Sequence, residues 1–407
     1  MGMTPPLDGL RVIEGSAFVA APSGAMTLAQ LGADVIRFDQ IGGGIDFRRW
    51  PHTADGQSIY WAGLNKGKRS IAVDLRSYRA RDLLTGLIAE AGTFLTNFPA
   101  RGWMGYDTLS VARPDLVMLA ITGNRDGSTA VDYTVNCAIG YPYATGPVDS
   151  AEPVNHVLPA WDLVCGQTAA LAILAADRNR LITGEGAAMT IALSDVALVA
   201  VSALGHVAEA QINGAERSRF GNDLYGAYGA EFTCADEVRI YVVGISPKQW
   251  SSLLEATDAT DAVEVLAAER GLDFSDEGQR FEARAEISAA IAPWIGARSI
   301  DEIGDRFDEL GVCWGRYQTF GEMVATDPRC STDSELFRDI EQPGIGTYLT
   351  PGSPVAFGGV LPVEPSPAPL LGQHTEEILA DILGLSTSEI GTLEDDGVIA
   401  CARGPIP

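Results

Sequence analysis

The chain has 407 residues, 46% hydrophobic and 20% charged, which excludes an intrinsically disordered protein and provides a core large enough for more than one domain. A formal net charge of -26 excludes general affinity for nucleic-acid phosphates or anionic lipid, so an anionic ligand would need a local basic pocket. No apolar run approaches the roughly 20 residues that cross a bilayer, so neither a membrane nor a nucleic acid is an expected partner.

The opening Met1-Gly2-Met3-Thr4-Pro5-Pro6 has no basic stretch ahead of an apolar one, and a cytoplasmic chain without a leader is the expectation. Residues 11–14 then read as a strand, residues 25–31 as a small-residue helix ended by Gly32, and residues 34–38 as a second strand. Further short apolar strands are predicted at 70–75, 93–97, 116–121 and 188–193, with a helix at 80–91 between two of them. Strands alternating with helices predict an α/β fold, with a mainly parallel sheet covered on both faces. Ligands of such sheets sit beyond the carboxyl ends of the strands, where Asn97 and the loop at 122–124 fall. No Gly-x-Gly-x-x-Gly opens the first helix, which disfavours a nicotinamide dehydrogenase.

The pattern changes near Arg217. A strand at Arg239–Gly244 and a helix opened by Pro247 lead into amphipathic helices at 281–295, Ile300–Leu310 and Phe320–Thr326. The Pro/Gly-rich stretch 342–369 reads as a long return connection, and two short helices, Thr375–Leu383 and 387–393, close the chain. The predicted division is a large domain over residues 1–215, a smaller, mainly helical α+β domain over 216–335, and a return segment over 336–407 that completes the large one. Six cysteines without a Cys-x-x-Cys pair and four scattered histidines predict no metal site and reduced thiols.

The segment His156-Val157-Leu158-Pro159-Ala160-Trp161-Asp162-Leu163-Val164-Cys165-Gly166 carries the most chemistry. It places one carboxylate, Asp162, at a Pro-Trp turn ahead of a small apolar helix predicted over 168–176. Such an acid is either a helix N-cap, contributing about 1 kcal/mol, or a carboxylate nucleophile in a water-poor setting. Local sequence alone favours the cap.

Five segments in order reverse that preference. They are Leu7-Asp8-Gly9-Leu10-Arg11-Val12-Ile13-Glu14 with Leu31-Gly32-Ala33-Asp34-Val35-Ile36, then Asn65-Lys66-Gly67-Lys68-Arg69-Ser70, Asn97-Phe98, Asp162 with its helix, and Ala368-Pro369-Leu370-Leu371-Gly372-Gln373-His374-Thr375. Together they resemble the family III CoA-transferases over nearly the whole length. Ile41-Gly42-Gly43-Gly44 with Arg48-Arg49-Trp50-Pro51, and Asp132-Tyr133-Thr134-Val135-Asn136, are similar to a branch that moves CoA between the two carboxyls of mesaconyl-CoA.

The resemblance implies a Rossmann-like large domain, a ring-shaped protomer and an interlocked homodimer. It implies an acyl-CoA substrate, CoA being part of that substrate, with no prosthetic group and no metal. The family's nucleophile matches Asp162, and its CoA contacts match Phe18, Ala20, Val73, Arg76, Asn97 and Phe98. One family arginine falls on Gln40, a departure, and Arg101 is the replacement for a second. Arg48, Arg49, Tyr133, Asn136 and His156 are the expected substrate residues, the arginines for bidentate grip on a free carboxylate. Related acyl-CoA racemases have a histidine where this chain has Tyr133, and tyrosine, with a reference pKa of about 10, is a poor base for proton exchange. A two-substrate CoA-transferase stays open as the alternative, with a racemase behind it. The run of four glycines found in many relatives is absent from residues 221–229.

Overall fold

The computed structural model describes residues 4–214 and 216–402; residues 1–3, read above for a leader, residue 215, and residues 403–407 lie outside the described residues. The main sheet is built from β1 (Arg11–Gly15), β2 (Asp34–Gln40), β3 (Arg69–Val73), β4 (Thr93–Thr96), β5 (Val117–Thr122) and β6 (Ala187–Ala192). These six are parallel and lie in the order β3-β2-β1-β4-β5-β6. The strand Ile399–Ala400 adds an antiparallel edge beside β3. β1 to β5 are near-continuous apolar runs because both faces are covered: Val12, Ile13, Ile36, Phe38, Ile71, Phe94 and Leu119 are all buried, whereas β6 alternates half-buried and exposed positions. The order reverses between β1 and β4, so a crevice opens at the carboxyl ends of those two strands.

Two helices frame that crevice. Ala20–Gln30 follows β1, and Ala160–Thr183 packs across it. The second helix begins eight residues earlier than the small-residue run at 168–176 suggests, so Asp162 lies inside its first turn. The helices meet at paired glycines. A Cβ on Gly24 would sit 2.5 Å from the Gly166 carbonyl oxygen, and one on Gly166 would sit 2.7 Å from the Ala20 carbonyl oxygen. These are backbone atoms that cannot move aside alone. Gly24→Ala is therefore expected to cost about 1–3 kcal/mol and to lower turnover, because Gly166 lies one turn beyond Asp162. Thermal melting alongside a rate assay checks this.

The chain divides into two compact units, one of residues 1–139, 156–211 and 327–407, the other of residues 140–155 and 212–326. The sequence reading gave all of 1–215 to the large domain and began the return at 336; the structure places 140–155 in the second unit and the return at 327. The second unit has a three-stranded antiparallel sheet of Tyr228–Thr233, Arg239–Gly244 and Cys313–Arg316. Its helices are well capped: Ser246 ahead of Pro247–Ala256 and Ser299 ahead of Ile300–Leu310 each complete a capping box. Their apolar faces close a core around Ile240, Leu253, Ile287, Ile303 and Phe307. No single helix among the described residues is long and apolar enough to cross a membrane.

The return segment is not plain coil. Phe337–Gln342 and Gly346–Pro351 form a hairpin. Its turn is Gln342-Pro343-Gly344-Ile345, with Gly344 at φ 76° and Ile345 N–H donating to the Gln342 carbonyl at 3.0 Å. Proline then glycine with positive φ is the chemistry of a type II turn.

Candidate active site

The chain leaving β1 turns sharply. Phe18 adopts φ 68°, a left-handed conformation that an aromatic residue holds only under restraint. Asn97, just past β4, accepts from Ala17 N–H at 2.9 Å and donates to the Ala17 carbonyl at 2.7 Å. Asp46 accepts from Phe18 N–H at 2.9 Å. The buried Arg37 donates to the Ser16 carbonyl at 3.0 Å and pairs with Glu14, Asp39 and Asp46. The turn therefore rests on groups from two strands and two loops.

Beyond the turn is a cavity of about 580 Å³. Phe18, Val19 and Ala20, Asn97, Thr122 and Gly123, Arg49, Tyr60, Asp132, Tyr133, Pro159 and Asp162 line it. All come from the carboxyl side of the sheet or from loops above it. Arg49 stacks its guanidinium on Phe18, 5.4 Å from the ring centroid, and on Tyr60, at 5.3 Å. Ser58 fixes this pair, since its hydroxyl donates to the Arg49 carbonyl and accepts from Trp61 N–H, capping the helix Ile59–Leu64 that carries Tyr60. Among the described residues Arg49 makes no ion pair, so its charge is available to a ligand.

Burial pushes the Asp162 carboxyl from 3.8 up to about 7, the Asp132 carboxylate pushes it the same way, and Arg49 pulls it back. Tyr60 is raised to about 12, mainly by burial, with Arg49 opposing and Asp162 adding. Cys165, one turn from Asp162, is raised to about 12 by burial and by Asp162, and is an inert core thiol.

The capping role that local sequence offered to Asp162 belongs to another residue. Pro159 is at the N-cap and the Asp162 side chain caps nothing. Asp132 Oδ2 accepts from Trp161 N–H at 2.7 Å and from Asp162 N–H at 3.1 Å. The Asp162 carboxylate is thus left facing the cavity. It has the burial, raised proton affinity and nearby cation of an acyl-transfer nucleophile.

Of the residues singled out in sequence, Phe18, Ala20, Arg49, Asn97, Tyr133 and Asp162 meet at this cavity. Others do not. Val73 is fully buried among core side chains, which leaves its side chain no route to a ligand. Phe98 packs against Phe38, at 6.4 Å between ring centroids. Arg76 is exposed and paired with Asp74, and Arg101 is exposed on the loop after β4. Arg48 is exposed, with its carbonyl bonded to His52. Asn136 is buried and accepts from the Trp161 indole N–H at 3.0 Å, a scaffold bond behind the wall. His156 stands behind the wall too, against Asp132. Gln40, where a family arginine was expected, ties the loop after β3 by accepting from Leu75 N–H. Sequence reasoning missed Tyr60 and the role of Asp132; a lone tyrosine inside Ser58-Ile59-Tyr60-Trp61 carries no local signal.

Over residues 7–375 the chain matches CoA-transferase family III. The chain belongs to that family. It is 55% identical to 2-methylfumaryl-CoA isomerase of Chloroflexus aurantiacus, covering 97% of this chain and 98% of that one. It is 29% identical to succinyl-CoA:mesaconate CoA-transferase of Haloarcula hispanica, over 96% and 99% of the two chains. Among solved structures, a CAIB/BAIF family protein from Brucella suis superposes with a TM-score of 0.75 at 25% identity, over 93% of this chain and 100% of that one. The sequence expectation of a family III CoA-transferase, an enzyme on a Rossmann-like α/β sheet, is met by these findings.

Proposed function

We propose that this family III enzyme is a 2-methylfumaryl-CoA isomerase, moving CoA between the two carboxyls of mesaconyl-CoA. The observation that carries the reading is the pairing, in one cavity, of a half-buried carboxylate, Asp162, with Arg49, a cation that makes no ion pair among the described residues. The identity to the Chloroflexus aurantiacus isomerase supports the substrate.

An Asp162 oxygen attacks the thioester carbon and the carbon–sulfur bond breaks. This gives a mixed anhydride and CoA thiolate. The thiolate attacks Asp162 Cγ, releasing the substrate carboxylate and leaving an aspartyl-CoA thioester. The substrate's other carboxylate then attacks Cγ and expels the thiolate. Finally the thiolate attacks the new acyl carbon and frees Asp162. No proton or electron is consumed, and an energy-rich acyl bond persists throughout, provided water is kept out. Keeping one acid bound in place of exchanging two supplies the proximity advantage.

The oxyanions need donors. The amides of Trp161 and Asp162 are committed to Asp132, and those of Ala17 and Phe18 to Asn97 and Asp46. The helix-opening amides of Val19 and Ala20, on the cavity wall, are the donors left for this role. Arg49 holds the free carboxylate. Arg49→Ala is expected to lower kcat/KM roughly 10- to 100-fold, with Arg49→Lys recovering only part because the planar fork is lost. Steady-state kinetics with mesaconyl-CoA measures both.

A homodimer of interlocked protomers belongs to the same reading. Exposed apolar side chains on neighbouring helices, Val164, Leu171, Leu198 and Val199, support a covering partner.

The deciding experiment supplies pure protein with mesaconyl-CoA and isotope-labelled free mesaconate. The proposal predicts isomer that carries no label. Label in the isomer, or turnover only after a free acid is added, would instead support a two-substrate transferase like the Haloarcula hispanica relative.

A further inference from the structure

We infer that Asp132, gripped by His156, is the positioning residue of the nucleophile, occupying the helix N-terminus that would otherwise bind and quieten Asp162. This deepens the proposed function and rests on Asp162 being the attacking group.

Asp132 opens the helix Asp132–Cys137 and is 1% exposed. It lies thirty positions before Asp162 in sequence, yet its Oδ2 takes two amides of the first turn of Ala160–Thr183. Its Oδ1 lies 2.5 Å from His156 Nε2, so with the carboxylate accepting, the imidazole donates. The His156 ring is in turn set edge-on against Tyr133 at 5.8 Å and tilted against Trp161 at 6.5 Å. Asn136, one turn along from Asp132, fixes the Trp161 indole. One short helix and one loop thus determine where the Asp162 helix starts.

Two acids compete for one helix N-terminus. Its amides and dipole favour a negative charge, and an acid that binds them has fewer lone pairs left to react. Here Asp132 takes them. Asp162 keeps its lone pairs for the substrate and also feels the neighbouring negative charge, which strengthens it as a base and nucleophile. The groups facing this pair are His156 and Tyr133 on the Asp132 side, Arg49 and Tyr60 across the cavity, and Cys165 one turn along the Asp162 helix.

The test reads the acid limb of kcat/KM against pH and, independently of activity, the titration of the Asp162 carboxyl by NMR in protein made with carbon-labelled aspartate, assigned with Asp162→Asn. Asp132→Asn keeps an acceptor for the amides and removes the charge. Both readouts are expected to move to lower pH by about one unit, with kcat reduced roughly tenfold. His156→Gln, which keeps a donor, is expected to retain more of kcat than His156→Phe, with KM similar in the two. If the acid limb and the carboxyl titration of Asp132→Asn coincide with wild type, the inference is overturned, while mesaconyl-CoA turnover by the wild type leaves the functional reading standing. If the wild type fails to turn over mesaconyl-CoA but the Asp162 titration still shifts in Asp132→Asn, the functional reading fails and the positioning role holds.

Discussion

Asp162→Asn is expected to lower mesaconyl-CoA isomerisation roughly a thousandfold or more, since removing the proposed nucleophile leaves only binding and oxyanion stabilisation. The substituted amide keeps the size of the carboxylate and cannot form the anhydride. The wild-type rate should depend on pH through the same group. Attack requires the carboxylate, so kcat/KM should be flat above about 7 and fall about tenfold per unit below it.

Stability should move the opposite way. The folded-state value of Asp162 lies above its ordinary 3.8, so the fold favours the protonated acid. The stability contributed by Asp162 is fully present below 3.8 and is lost as pH rises through about 7. Asp162→Asn, always neutral, should therefore melt higher than wild type by roughly a few degrees at pH above 7, with the gain vanishing in acid. Melting curves across that range check the sign.

The second large effect is structural. Arg37→Met is expected to cost about 3–5 kcal/mol and to remove activity with it. Arg37 is 0% exposed, with a two-pronged grip on Asp39, at 2.8 and 2.9 Å, and further contacts to Glu14 and Asp46. Lys68, also buried, pairs with Glu14 at 2.7 Å. Three carboxylates are thus balanced by two cations. Burial raises the Asp46 carboxyl and lowers the Lys68 ammonium, while the surrounding carboxylates hold Arg37 firmly charged. Without Arg37, Asp39 and Asp46 are left facing each other in a dry interior. Because Arg37 also holds the Ser16 carbonyl, and Asp46 the amide of Phe18, the strained turn into the active site would relax. Denaturant unfolding measures the loss, and Arg37→Lys should rescue little, because an ammonium cannot reproduce the fork.

The strands of the main sheet were readable because parallel strands buried on both faces are short apolar runs. Residues 11–14, 34–38 and 116–121 each fall within a residue or two of β1, β2 and β5. The ordered motifs singled out Asp162, which the structure places at the cavity, but its surroundings were not readable. The bond from Asp132 to the Asp162 helix joins residues thirty apart, and no periodicity encodes such a cap. The start of that helix was misplaced for the same reason: Ala160 and Trp161 look like the end of a turn until a distant carboxylate takes the amides of Trp161 and Asp162. Tyr60 reaches the cavity only because Ser58 sets the entry angle of its helix. The hairpin at 337–351 did carry a local signal, Pro343-Gly344, which composition averaged over the longer stretch concealed.

Oxygen exchange is the most direct test of the claim that Asp162 becomes covalently acylated. Mesaconyl-CoA whose free carboxylate carries heavy oxygen is turned over, and the peptide containing Asp162 is weighed. In the proposed sequence the incoming carboxylate leaves one of its oxygens on Asp162 in each turnover, so the heavy isotope should appear at Asp162 and nowhere else in the protein. Isomer accumulating while Asp162 keeps its original oxygens would contradict the account.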